Sequence, residues 1–178
     1  TLRLSSAASD VYKRQIIGNV ADGNINSEQN GTTVAKPGSY SISLIDSTID
    51  GEADAMKPNF KLISSDNTTY TATGTTTIND NNWHHIVAVY NNTTNINKIY
   101  IYVDGALEGT TTVSGSIIST SQIKTYLGSI HGETGDDTMF KGDMSEIRFY
   151  KSALNNLQIT KLNNRGSKNL GKINLKGK

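Results

Sequence analysis

Asn81 to Gly109 reads NNWHHIVAVYNNTTNINKIYIYVDGALEG, and this stretch decides the fold. Trp83 to Tyr90 is dense in β-branched and aromatic residues, which suit a pleated, half-buried strand. The polar segment Asn91 to Asn97 closes that strand, and Lys98 to Val103 supplies a second one that pairs with it. Asp104-Gly105 then gives a two-residue turn, because a type I′ turn needs positive φ at both central positions. The chain returns through Ala106 to Val113, so the stretch spells an antiparallel meander. A second run, FKGDMSEIRFYKSAL from Phe140 to Leu154, is written the same way, with a strand expected over Met144 to Tyr150.

Working outward, Ile16 to Val20 and Tyr40 to Ile45 read as strands, separated by an Asn/Gly-rich connection and the turn Lys36-Pro37-Gly38. Phe60 to Ile63 and Thr69 to Thr73 form an expected hairpin across Ser65-Asp66-Asn67, and Ile123 to Ile130 is a further strand. Apolar residues at Leu154, Leu157, Ile159 and Leu162 predict a short helix over Asn155 to Leu162. Asn, Thr, Ser, Gly and Ile are abundant and only 19% of residues are charged, so the composition is that of an all-β chain with many polar turns.

Charge and cysteine content narrow the function classes. A formal net charge of +1 implies no nucleic-acid or other polyanionic partner. The absence of Cys excludes disulfides, thiolate metal sites and a Cys nucleophile within this chain. No apolar run approaches the roughly 18 residues that a membrane span requires, so no membrane insertion is expected.

Trp83, His85 and Ala88, then Tyr102-Val103-Asp104-Gly105, then Phe140, Gly142, Ile147, Tyr150, Ala153 and Leu154 form three ordered patterns. In this the chain resembles the laminin-G-like domains of the concanavalin A-like lectin/glucanase superfamily. The resemblance implies a two-sheet antiparallel β-sandwich in jelly-roll order, with Trp83, Ile86 or Val87, Val103, Ile147 and Phe149 among its buried residues. It also implies one or two further strands ahead of Ile16, and an open edge along Met144 to Tyr150 where the first of them is missing.

Ser5 to Gln15, SSAASDVYKRQ, back-translates codon for codon into transposase sequencing-adaptor DNA. Residues 1–15 are therefore expected to be an artefactual leader outside the fold, with the laminin-G-like sandwich over residues 16–162. Residues 163–178 are rich in Gly, Asn and Lys without a clear period, and are expected to be a flexible basic tail or linker.

Several residues invite chemical readings. His84 and His85 lack the spacing of a metal or catalytic pair, and adjacent strand residues point to opposite faces. His85 is expected to be structural, and His84 exposed or packed at the rim. Glu52 and Asp54, about 7 Å apart if on one strand, suggest a glycosidase pair, but Lys57 stands where the second Glu of the related glucanases would be. Glu133, Asp136 and Asp137 on a Gly-rich loop are the candidate metal ligands, for Ca²⁺, with Asp143 a weaker fourth. Ser145-Glu146 departs from relatives that carry Asp at the first of these positions. An exposed aromatic ring can stack on the C–H face of a sugar; Tyr40, Tyr70, Tyr100, Tyr102 and Tyr150 fall within expected strands, where simple packing is the alternative, and Tyr90 and Tyr126 fall nearer strand ends, so the sequence singles out none of them. The Asn-x-Thr sequons at Asn30, Asn67, Asn91 and Asn92 fit an Asn/Thr-rich chain.

The resemblance implies a non-catalytic carbohydrate-binding or adhesion module of a larger extracellular, cell-surface or virion protein, whose partner is a glycan or a surface protein. The alternative is a structural or protein-interaction sandwich of a phage or bacterial surface protein with no glycan ligand.

Overall fold

A computed structural model describes residues 2–6, 14–19, 40–45, 56–66, 68–93, 96–115, 117, 125–128, 140 and 142–170. These residues form strands β1 (Leu2–Ser6), β2 (Arg14–Asn19), β3 (Tyr40–Ile45), β4 (Lys57–Ile63) and β5 (Thr69–Thr73). There follow β6 (Trp83–Asn91), β7 (Lys98–Val103), β8 (Ala106–Thr112), β9 (Thr125–Leu127), β10 (Gly142–Ser145) and the helix α1 (Asn156–Leu170). One sheet runs β10-β1-β6-β7-β8 and the other β5-β4-β3-β2-β9, with every neighbouring pair antiparallel. The expected two-sheet sandwich is the architecture found.

Period-two alternation divides β6 and β7 between two faces. Ile86 on β6 and Ile99, Ile101 and Val103 on β7 turn inward, meeting Leu44, Phe60, Leu62 and Ala72 of the facing sheet in one core. Val87, Val89 and Tyr102 turn the other way and are covered by Ile159 of α1 and by Leu154 just ahead of it. Both faces of β6 are thus buried, which is why it reads as a nearly unbroken apolar run. The turn after β7 has φ of 49° at Asp104 and 86° at Gly105, as its sequence requires.

One side of the sandwich is closed tightly. A Cβ on Gly109 of β8 would stand 2.2 Å from the Thr73 carbonyl oxygen of β5, so only glycine permits that approach. Glu108 reinforces the seam by accepting the backbone N–H groups of Thr75 and Thr76 at 2.8 and 3.0 Å.

Three expectations need correction. Residues 1–15 do not stand wholly outside the fold: Leu2–Ser6 is a central strand between β6 and β10, and Arg14 and Gln15 begin β2. Strand pairing is made by main-chain groups, so an extended segment of almost any sequence can fill such a place. Residues 163–178 are not wholly a linker, because α1 continues to Leu170. Asn155 caps this helix reciprocally with Gln158 (2.9 and 3.0 Å), and Asn163 Nδ2 donates to the Asp104 carbonyl at 2.7 Å. The last strand ends at Ser145 rather than Tyr150; Glu146 has φ of 54° and the chain leaves the sheet there. Phe149 is accordingly 66% exposed rather than buried, and Trp83, the first residue of β6 at the sheet rim, is 36% exposed. Ile86, Val87 and Val103 are buried as expected, and Ile147 is partly buried against the core.

Candidate functional site

The candidate metal ligands Glu133, Asp136 and Asp137 lie outside the described residues, as do Glu52, Asp54, Asn30 and Asn67. Asp143 is exposed on β10. Among the described residues, no group of three His, Asp or Glu side chains is placed to hold a metal ion.

His84 is buried rather than exposed, and its surroundings explain why. Nδ1 lies 2.8 Å from Asp104 Oδ2, and Nε2 lies 3.0 Å from Asp80 Oδ1. With a carboxylate at each nitrogen, both nitrogens donate, which is the hydrogen-bond pattern of imidazolium. Burial disfavours that charge, but the hydrogen bonds to Asp104 and Asp80 outweigh it and hold the His84 pKa above its ordinary value. Asp80 is held well below the usual carboxylate range, chiefly by the Asn82 side chain and backbone N–H, with His84 adding to them. Asp104 Oδ1 also accepts the His85 N–H at 2.8 Å. This clasp joins the loop before β6 to the β7–β8 turn. His85 is 3% exposed.

On the helix side of the β6-β7-β8 surface lies an open recess of about 580 Å³, within the range of small-ligand sites. Val89, Tyr100 and Tyr102 line it from the sheet, Leu107 from β8, and Leu154 to Leu157 from the start of α1, with Asn91 completing the lining. Tyr100 and Tyr102 sit two apart on β7, so both side chains project on the face opposite Ile99 and Ile101. Their ring centroids are 6.4 Å apart, tilted by 35°.

Hydrogen bonding then orients three carboxamides around these rings. The Tyr102 hydroxyl donates to Asn156 Oδ1 at 2.8 Å, and burial raises the Tyr102 pKa, keeping the phenol a donor. Asn91 Oδ1 accepts the Thr93 N–H at 3.1 Å, and Asn155 Oδ1 accepts the Gln158 N–H at 3.0 Å. Each oxygen accepts a hydrogen bond from within the protein, so the NH₂ group is what each carboxamide has to donate. Among the described residues, no Asp or Glu lines the recess.

Of the tyrosines considered in the sequence, the fold brings Tyr100 and Tyr102 to this site and leaves Tyr70 and Tyr126 elsewhere. Tyr40, Tyr90 and Tyr150 line a second depression, a groove of about 540 Å³ beside β6. Asn155 and Asn156 carry no distinguishing signal in so Asn-rich a chain. The Ile/Tyr alternation of KIYIYV was the available signal for the aromatic pair.

The family model described as the concanavalin A-like lectin/glucanases superfamily matches residues 10–160. Among solved structures, the chain is similar to a protein from Bacteroides ovatus assigned as carbohydrate-binding, with 19% identity and a TM-score of 0.61, covering 89% of this chain and 38% of that one. The receptor-binding domain of botulinum neurotoxin type G is similar at 14% identity and a TM-score of 0.56, over 93% of this chain and 36% of that one. A heptameric SAP-like pentraxin of Limulus polyphemus matches at 15% identity and a TM-score of 0.57, over 91% and 67% respectively. No curated protein matches. At these identities the structural likenesses carry the fold, and the chain spans little more than a third of the first two.

Proposed function

The chain belongs to the concanavalin A-like lectin/glucanase superfamily, and we propose that it is a non-catalytic carbohydrate-binding module whose sugar site is the Tyr100 recess. The observation that carries this reading is the placement of Asn91, Asn155 and Asn156, each with its amide oxygen accepting from within the protein, around the Tyr100–Tyr102 pair. A pyranose offers hydroxyl oxygens to carboxamide NH₂ donors and a C–H face to a ring such as Tyr100. Hydrolysis of a glycosidic bond needs two carboxyl groups flanking it, whereas the described lining offers carboxamides and tyrosines, which suit binding. An open site of this kind binds weakly, and repeated copies on a cell surface or virion would supply avidity. That setting suits an extracellular module of a larger protein.

Isosteric changes separate recognition from folding. Asn156→Asp keeps an acceptor for the Tyr102 hydroxyl and places an acid at the helix start, where it is tolerated, yet removes the NH₂ donor. After a glycan screen identifies a ligand, titration calorimetry should show Asn156→Asp weakening it about tenfold, as one lost hydrogen bond of about 1–1.5 kcal/mol predicts. Tyr100→Ala should weaken it at least as much, with Tyr100→Phe close to the parent. Unchanged affinity in both Asn156→Asp and Tyr100→Ala would remove the recess as the site.

A further inference from the structure

The Tyr100 recess differs from one end to the other. Tyr100 is partly exposed, so its ring is within reach of a ligand, whereas Tyr102 is buried and closes the floor. Across the β7–β8 ladder Leu107 stands opposite Tyr102, and facing pairs of this kind bring their Cβ atoms to about 5 Å on one face of a sheet. The Tyr102 hydroxyl holds Asn156, and Leu157 follows it on α1 as a further lining residue. Asn91 lies at the other end, two residues past Val89, which pairs with Tyr100.

Leu107 is 47% exposed and Leu157 63% exposed. A single apolar side chain on a protein surface carries no message. Two that line one recess, beside a carboxamide fixed by a tyrosine hydroxyl, make a place that is apolar and hydrogen-bonding at once. A bare hexose matches only half of it, because its hydroxyl groups leave both leucines facing water.

We propose that the recess selects an N-acetylhexosamine over the corresponding hexose, with the acetyl methyl held by Leu107 and Leu157 and the amide carbonyl accepting from Asn156. This rests on the reading of the recess as a sugar site and names the substituent that the site prefers. Reach favours the acetamido group. From the centre of a pyranose stacked on Tyr100, the acetamido methyl lies about 5 Å out by standard bond lengths, against 6.4 Å between the Tyr100 and Tyr102 ring centroids. The methyl is therefore carried toward Tyr102 and the Leu107 opposite it. The methyl of a deoxy sugar lies only about 3 Å out and stays over Tyr100. The acetamido carbonyl oxygen is an acceptor, and an NH₂ donor is what Asn156 has to give.

The probes are the methyl glycosides of N-acetylglucosamine and N-acetylgalactosamine, the corresponding glucosides and galactosides, and the N-formyl analogues, titrated into the full chain. Backbone amide NMR shifts locate the site and give each affinity. An N-acetyl glycoside should bind at least about tenfold tighter than its hexose, as one buried methyl and one hydrogen bond together predict, and should shift Tyr102, Leu107 and Leu157. The N-formyl analogue, which keeps the carbonyl and lacks the methyl, should fall between them. Leu107→Ser combined with Leu157→Ser, both at exposed positions, should narrow the N-acetyl to hexose ratio to under about threefold. Equal affinity of hexose and N-acetylhexosamine in the recess overturns the proposal and leaves the sugar reading standing. An N-formyl analogue as tight as the N-acetyl one, or a preference that survives the double substitution, does the same. Recess amides that stay unshifted by every probe also overturn it, and the sugar reading falls with it only if the wider glycan screen is silent as well.

Discussion

Replacing Ile159 by Ala tests whether α1 belongs to the folded unit or merely rides on it. Ile159 is 0% exposed and packs with Val87, Val89 and Tyr102. The substitution removes Cγ1, Cγ2 and Cδ1, about 2.4 kcal/mol of transfer free energy at about 0.8 kcal/mol per carbon. Incomplete collapse of the vacated space adds about 1 kcal/mol, giving about 3–4 kcal/mol in all, within the range for buried Ile→Ala changes. For a chain of this size about 2–4 °C of Tm accompanies each kcal/mol, so the melting temperature should fall by about 6–16 °C. Circular dichroism melts and urea titrations would measure it, with Leu157→Ala, at a 63% exposed position on the same helix, as the control. A loss under about 1 kcal/mol, indistinguishable from that control, would refute the packing of α1 on β6 and β7 and with it the wall of the recess.

Deleting residues 1–6 should lower the urea midpoint and promote concentration-dependent aggregation visible by light scattering, because β6 and β10 both lose their shared partner; an unchanged midpoint would mean that β1 adds nothing. Gly109→Ala drives a Cβ to 2.2 Å from the Thr73 carbonyl oxygen, so the β5–β8 seam must part; a destabilisation of about 1–3 kcal/mol or more is expected in chemical denaturation. The His84 clasp gives stability a defined pH dependence. Its raised pKa makes its contribution fully present below the unfolded value of 6.5 and lost as pH rises through the higher folded value. The depressed Asp80 pKa makes that contribution present above the unfolded value of 3.8 and lost as pH falls through the lower folded one. The clasp therefore contributes most between these two unfolded values, and His84→Ala should flatten the alkaline-side decline in urea stability; an identical slope in the variant would show that His84 does not titrate in this way.

The parts of the fold that were legible in the sequence are those whose stabilising interactions are local. Asp104-Gly105 specifies its own turn by positive φ, and the hairpin β4–β5 and the pair β6–β7 follow from short apolar runs separated by polar turns. The errors fall where a distant partner decides. The residues Asn163, Gly166 and Ser167 are poor or indifferent helix formers, yet the helix passes through them, with Asn163 anchored to the Asp104 carbonyl 59 positions away. Local propensity in Glu146 to Tyr150 favours a strand, but a strand persists only where a neighbour supplies its hydrogen bonds, and none of the described backbone does so beyond Arg3↔Ser145. The same reasoning governs the candidate site. Tyr100 and Tyr102 announce an aromatic pair on one face of β7, whereas Asn156 reaches the recess only because α1 returns across that face and Tyr102 holds its amide. The recess is thus assembled by tertiary contacts between segments more than 50 residues apart, so the proposed sugar site depends on the docking of α1 as directly as on the sheet beneath it.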